Sequence, residues 1–356
     1  MAFFKDMLGA GESLVRNSMP LNYDFQPKVV PYREKEMRQI SFAIKPLFQN
    51  RDARNVVVFG PSGVGKTVAC KHLLDELAEE TDEVIPLYIN CWQKNTSFRI
   101  LAEMCEVLGY KFTQNKRTDE LFAVVKQILN KKSAVLVFDE VDKMEEIDFI
   151  YTLLEEIYRK SIVLVSNRKE WLEQMDSRIK SRLTPEVLEF KPYNYTETKG
   201  ILSQRRDAAF VQGIWEDAAF ETIARKTSEM QDMRSGLYLM KESANAAEDR
   251  SSKKITSDDV KKALTKLDEF TIKTKESLDE DLKAILAIIK EKSGKRIGEI
   301  YKSYQEKGGK TAYKTFQRRI AKLEQDKFIE TKKIAGGSEG ATTIISFAKE
   351  KKLTEY

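Results

Sequence analysis

Histidine is almost missing from this chain, and cysteine is scarce. The single histidine, His72, and the three cysteines, Cys70, Cys91 and Cys105, form no C-x-x-C pair and no cluster with metal-ligand spacing. That excludes a zinc-finger type of site and a disulfide framework, and it leads to the expectation of a reducing cytoplasm. His72 reads as an ordinary helix residue rather than a catalyst. No apolar run reaches the length of a membrane span, so no membrane partner is expected. The opening residues, Met1-Ala-Phe-Phe-Lys-Asp-Met-Leu8, lack the core and cleavage site of a signal peptide, and residues 1–20 are expected to be an N-terminal arm, packed or disordered. Charge is plentiful, with 33% charged residues and a net charge of +5, but it is unevenly placed. The segment from Lys275 to Tyr356 holds 19 Lys and Arg against 13 Asp and Glu, so the rest of the chain is close to neutral. A basic excess confined to one end points to an anionic partner there. At 356 residues the chain is too long for one ordinary core, and two or three domains are expected.

The strongest motif is Gly60-Pro61-Ser62-Gly63-Val64-Gly65-Lys66-Thr67, which fits the phosphate-binding pattern G-x-x-x-x-G-K-[ST] (Walker A). The run Val56-Val57-Val58-Phe59 leads in as a buried strand, and a helical run from Val68 to Glu80 leads out. Glycines let the backbone curl so that its N–H groups face a phosphate, and the helix N-terminus adds a positive dipole end. Lys66 would reach the β- and γ-phosphates of ATP, and the Thr67 hydroxyl would hold Mg²⁺.

Further strands are expected at Val84–Asn90, at Ala134–Phe138 and at Ile162–Val165, with helices near 97–108 and 119–129. Asp139 and Glu140 close the apolar run Ala134–Phe138, at the strand end where open α/β sheets place ligands (Walker B). Asp139 would hold Mg²⁺ and Glu140 would polarise the attacking water; the plainer alternative is a helix N-cap. Ser166-Asn167 ends the next strand, and Asn167 fits the role of sensing the γ-phosphate (sensor 1). Arg178 and Arg182 share a helix face four residues apart, and Arg182 is carried as the candidate arginine finger, reaching ATP in a neighbouring subunit or under its own lid. A solvated basic face is the alternative. Residues 191–268 read as helical, and Arg234 within Asp232-Met-Arg234 is a candidate to swing onto the nucleotide (sensor 2).

The polar stretch Lys273–Ser277 reads as a linker. Three helices follow, near 278–290, 297–305 and 311–325, and then two strand-like runs, 328–334 and 342–347, around Gly336-Gly337-Ser338-Glu339-Gly340. This is the pattern of a winged helix-turn-helix. The third helix packs through Phe316, Ile320 and Leu323 and carries Lys310, Tyr313, Lys314, Gln317, Arg318, Arg319 and Lys322 on the remaining surface, which suits a DNA major groove. A protein-docking winged helix is the alternative.

In this order the segments Pro31-Tyr32-Arg33-Glu34, the Walker A and B runs, Ser166-Asn167, Ser181-Arg182-Leu183, Asp232–Leu237 and the winged helix resemble the archaeal AAA+ replication initiators, the origin-recognition and cell-division-control-like proteins. The resemblance spans about residues 20–348. Ile89-Asn-Cys-Trp-Gln-Lys-Asn-Thr-Ser-Phe-Arg99 is similar to the segment that precedes the family's helical insertion, which touches origin DNA, and Phe190-Lys-Pro-Tyr193 to its entry into the lid. The resemblance implies an α/β AAA+ P-loop ATPase core over 21–190, a helical lid over 191–270 and a winged helix over 277–350. It places Val29, Val30 and Tyr193 near the adenine, the loop residues Gly60 to Val68 around the phosphates, and Arg234 at sensor 2. It implies ATP/ADP and Mg²⁺ as cofactors, slow switch-like hydrolysis, and double-stranded origin DNA, a replicative helicase and a second initiator copy as partners of a nucleoid-associated cytoplasmic protein. Two features depart from the family: Ser62 stands where proline is frequent, and the wing tip has no arginine, so Lys332 and Lys333 are left to hold phosphates there. The competing readings are a ring-forming DNA motor of the branch-migration type and a signalling ATPase with a docking winged helix.

Overall fold

Strands β1 (Val56–Phe59), β2 (Val84–Asn90), β3 (Ser133–Asp139), β4 (Lys160–Ser166) and β5 (Glu186–Glu189) pair in parallel in the order β2-β3-β4-β1-β5. The computed structural model describes residues 13–276, 280–309, 311–325, 329–334 and 342–347. The central strands are apolar along their whole length because helices cover both faces. Their side chains still alternate between two cores. Val57, Leu136, Phe138, Ile162 and Leu164 enter one, and Val56, Val58, Val135, Val137, Val163 and Val165 enter the other. On the second face lie α1 (Glu34–Ile44) and α2 (Lys66–Glu80). On the first lie α3 (Ser97–Val107), α4 (Thr118–Leu129), α5 (Asp148–Glu156) and α7 (Ser177–Leu183), the last preceded by the short α6 (Lys169–Gln174). Pro86 is tolerated in β2 because that strand is a sheet edge, where a missing N–H costs no ladder bond.

Helices α8 (Tyr195–Ala209), α9 (Asp217–Met230), α10 (Met233–Asp249) and α11 (Ser257–Glu276) follow. A capping box starts α8, where Asn194 and Glu197 exchange side-chain and backbone hydrogen bonds, and Asp232 caps α10 by accepting from the Arg234 N–H. Residues 13–20, part of the expected N-terminal arm, are anchored here: Leu14 is buried, its N–H donates to Glu248 at 2.7 Å, and the Asn17 N–H donates to the Ala209 carbonyl at 2.9 Å. Residues 1–12 lie outside the described set. The chain divides into two compact units after Ala263, within α11. The expected linker beginning at Lys273 is corrected, because residues 273–276 are the last residues of that helix.

The second unit contains α12 (Glu280–Glu291), β6 (Lys295–Arg296), α13 (Ile297–Glu306), α14 (Tyr313–Gln325), β7 (Ile329–Ile334) and β8 (Thr342–Phe347). The strands form an antiparallel sheet in the order β6-β8-β7, with Lys332 opposite Ile344 and Lys333 opposite Thr343. Its own core gathers Leu282, Ile285, Ile289, Ile300, Tyr304, Phe316, Ile320, Leu323 and Ile345. The order of helices and strands is the one the sequence led us to expect, and the expected wing tip at 336–340 lies outside the described residues.

Candidate nucleotide cleft and nucleic-acid face

The loop between β1 and α2 is shaped by its glycines. Gly63 and Gly65 hold left-handed backbone angles, φ +78° and +88°. Both also meet close neighbours. A side chain on Gly63 would strike the Asp232 carboxylate at the start of α10, and one on Gly65 would strike the Tyr193 hydroxyl. The lid thus lies directly over the phosphate loop within the first unit.

Lys66 is buried and donates to the carbonyls of Gly60 and Pro61 at 2.8 and 2.7 Å and to Asn167 Oδ1 at 2.9 Å. Burial pushes its ammonium down to about 8, against an opposing pull from Asp139. Thr67 Oγ1 donates to Asp139 Oδ2 at 2.6 Å, and the Tyr88 hydroxyl donates to the same oxygen at 2.8 Å. The Glu140 N–H donates to Asp139 Oδ1 at 2.9 Å. Glu140 itself turns in a left-handed conformation, φ 52° and ψ 42°, at the end of β3. Burial raises its carboxyl pKa, helped by the charges of Asp139 and Asp142. Arg234 Nη1 stands 3.4 Å from Ser62 Oγ. The Lys66, Thr67, Asp139, Glu140, Asn167 and Arg234 predicted from sequence therefore line one cleft.

The donor set fits a hard divalent cation. Thr67 Oγ1 and Asp139 Oδ2 are already within hydrogen-bonding distance of each other, both are oxygen ligands, and Mg²⁺ takes one or two such protein ligands with phosphates and water completing its shell. No cluster of three or more His, Cys, Asp or Glu that could hold a metal ion occurs among the described residues.

The same cleft is also lined by Val29, Val30 and Tyr193, and by Pro27, Ile201, Gln204, Arg205 and Leu237, which were not singled out from sequence. Arg33 was quoted for the resemblance without a role. Its buried guanidinium stacks 3.9 Å from the Tyr193 ring, and it donates to the Val64 carbonyl at 3.1 Å and the Lys191 carbonyl at 2.6 Å. It ties the phosphate loop to the start of the lid segment.

Arg182 and Arg178 are not brought to this cleft. Arg182 pairs with Glu155 at 2.6 Å and Arg178 with Asp176 at 3.1 Å, and both are well exposed. The expectation that the finger reaches ATP under its own lid is corrected: neither arginine lines the cleft within one chain, and each is paired at the surface instead.

In the second unit Tyr313, Lys314, Gln317 and Arg318 are exposed on α14, as expected. Arg319 differs. It is turned to Asp281 of α12, donates to Thr311 Oγ1 at 3.0 Å and is partly buried, so it belongs to the packing of the unit rather than to the outward face. Lys310 lies outside the described residues, as do the side chains of Lys322, Lys332 and Lys333. On the first unit, Trp92, Phe98 and Phe112 are exposed around α3, where the resemblance puts a DNA-contacting insertion.

Comparison with known proteins agrees with this site. Residues 49–171 match the AAA domain model and residues 199–265 match the Cdc6 AAA+ ATPase-type lid domain model. The chain is 30% identical over 279 residues to an ORC1-type DNA replication protein of Thermococcus kodakarensis, covering 73% of this chain and 67% of the relative. It is 29% identical over 344 residues to ORC1-type DNA replication protein 1 of Archaeoglobus fulgidus, covering 91% and 84%. The Aeropyrum pernix ORC1 protein solved in complex with DNA shares the fold, with a TM-score of 0.71 at 23% identity over 96% of this chain and 95% of that one. Its phosphate loop, its lid and its similarity along nearly the whole length together make this chain a member of the ORC1-type DNA replication protein family, with an AAA+ ATPase core.

Proposed function

We propose that this protein is an ATP-switched replication initiator that grips double-stranded origin DNA. The observation that carries the reading is the pairing, in one chain, of a complete phosphate cleft with a winged helix whose α14 exposes Lys314, Gln317 and Arg318. ATP with Mg²⁺ supplies the phosphoryl group and its charge neutralisation. Lys66 and the loop N–H groups would hold the β- and γ-phosphates, and Thr67 and Asp139 would hold the metal. Glu140 orients water and accepts its proton. Asn167 and Arg234 sense the γ-phosphate from the sheet and the lid. Hydrolysis is slow and acts as a switch: neither Arg178 nor Arg182 lines the chain's own cleft, so rapid turnover waits on a neighbouring molecule that supplies an arginine. Arg234 on the lid and Lys66 and Asn167 on the core would then couple a bound nucleotide to the angle between lid and core. A second initiator copy and the replicative helicase are the further partners, in a nucleoid-associated setting. No helix of the described residues is long and apolar enough to cross a membrane.

A nuclease footprint across intergenic DNA flanking the protein's own gene tests this reading, with ATP and with ADP. Discrete protected repeats that persist in Glu140→Gln, which should bind ATP without hydrolysing it, are the expected result. Preferential binding to branched DNA would favour a motor, and no binding at moderate salt would favour a docking ATPase.

A further inference from the structure

We propose that Tyr88 is a positioning residue that acts through Asp139 and sets how strongly nucleotide binding responds to Mg²⁺; this rests on the cleft being a nucleotide site. Tyr88 lies on β2, which pairs in register with β3, Tyr88 opposite Val137 and Asn90 opposite Asp139. Residues two apart on a strand share a face, so Tyr88 and Asp139 stand diagonally on one face of the sheet, within reach of an aromatic side chain. Helix α2 covers that face. Its Lys71, one turn after Thr67, sets its ammonium 4.6 Å from the Tyr88 ring centroid. Tyr88 is thereby held against the helix that carries Thr67, and both Tyr88 and Lys71 line the cleft.

The carboxylate is where this placement acts. Asp139 is buried, and an ionised carboxylate offers about four acceptor positions. Oδ1 accepts the Glu140 N–H at 2.9 Å, while Oδ2 accepts the Thr67 hydroxyl at 2.6 Å and the Tyr88 hydroxyl at 2.8 Å. Two of these donors belong to the strand end and the phosphate loop themselves. Tyr88 comes from the neighbouring strand, so Oδ2 is gripped from the α2 side and from β2. Two donors on one oxygen fix the rotation of the carboxylate about its Cβ–Cγ bond and keep Oδ2 turned to Thr67. Groups that hold a metal-binding side chain in this way typically change metal affinity by roughly ten- to a hundredfold when removed. Lys66, the loop N–H groups and Arg234 do not depend on the Tyr88 hydroxyl, so its loss should touch the metal-dependent part of nucleotide affinity and leave the rest.

The test is equilibrium binding of ATP to the full-length protein and to Tyr88→Phe, first in excess EDTA and then across a Mg²⁺ titration. Phenylalanine keeps the ring beside Lys71 and deletes the hydroxyl alone. The expected result is an unchanged affinity in EDTA, with about tenfold more Mg²⁺ needed to reach half of the metal-dependent gain. Added to Asp139→Asn, the same change should shift the Mg²⁺ requirement by less than about twofold, because Tyr88 acts through that carboxylate. An unchanged Mg²⁺ requirement in Tyr88→Phe would overturn the inference. So would an equal loss with and without metal, which assigns Tyr88 to the packing of the core, and so would fully additive effects in the double variant. Wild-type protein that binds ATP equally well in EDTA and in Mg²⁺ would remove the metal site and the inference together. Wild-type protein that binds ATP in neither condition would instead refute the nucleotide-site reading itself.

Discussion

Lys66 is the residue where the site's chemistry and its electrostatics meet. Its folded pKa of about 8 lies below the ordinary lysine value of 10.5, so between those two values the unfolded chain holds more proton than the native one. By linkage this group makes the protein more stable as pH rises from about 8 toward 10.5. Nucleotide binding has the opposite sign. Phosphates favour the charged ammonium, so ATP binding at pH 8 should take up about half a proton, and affinity should fall as pH rises further. Calorimetry in buffers of different ionisation enthalpy measures this directly; Lys66→Ala should show neither the uptake nor tight binding. The residues of this end of the site were legible in the sequence because chemistry fixes their spacing along a strand, a loop and a helix. Lys66 and Thr67 follow the glycines, and Asp139 and Glu140 end an apolar run. Arg33, Tyr88 and Arg205 were not legible as site residues. Each comes from a different element and meets the cleft only through tertiary packing, and an arginine or tyrosine carries no local pattern that distinguishes this use.

At the scale of elements, the strands with continuous apolar runs were readable, and β5 was not. Glu186-Val-Leu-Glu189 has only two apolar residues, set between two glutamates, and is mostly exposed, so only its pairing with β1 makes it a strand. Helix α14 shows the same limit in a finer form. Periodicity correctly assigns Phe316, Ile320 and Leu323 to the core, but Arg319 sits on the border of that stripe, and its direction is decided by Asp281 on another helix. The consequence is a split between neighbours. Arg319→Ala should destabilise the winged-helix unit by about 1 kcal/mol, the modest value of a partly exposed pair with a further hydrogen bond. Arg318→Ala, at an exposed position, should change stability by no more than about 0.5 kcal/mol and act on DNA binding instead. Denaturant titrations of the two variants beside their DNA affinities separate the roles. A destabilised Arg318→Ala would reverse the assignment of the two side chains.

For the whole molecule, the division into two units with separate cores means that nucleotide and DNA affinity can be perturbed one at a time. If Lys314 and Arg318 each neutralise one phosphate, their removal releases two fewer counterions on binding. The plot of log affinity against log salt should then flatten by roughly 2 in Lys314→Ala/Arg318→Ala, at about 0.9 per phosphate. The slope that remains measures what other basic groups contribute, including those around α3 on the first unit. The double variant should bind ATP as the wild type does, because neither side chain lies in the nucleotide cleft. Lys66→Ala should do the reverse, losing ATP while keeping the winged helix's share of the salt slope. Fluorescence anisotropy with an origin repeat across a salt series, run with and without ATP, reads all of these. An unchanged slope in the double variant would mean that α14 docks protein rather than DNA, and the basic excess at this end of the chain would then need an acidic protein as its partner.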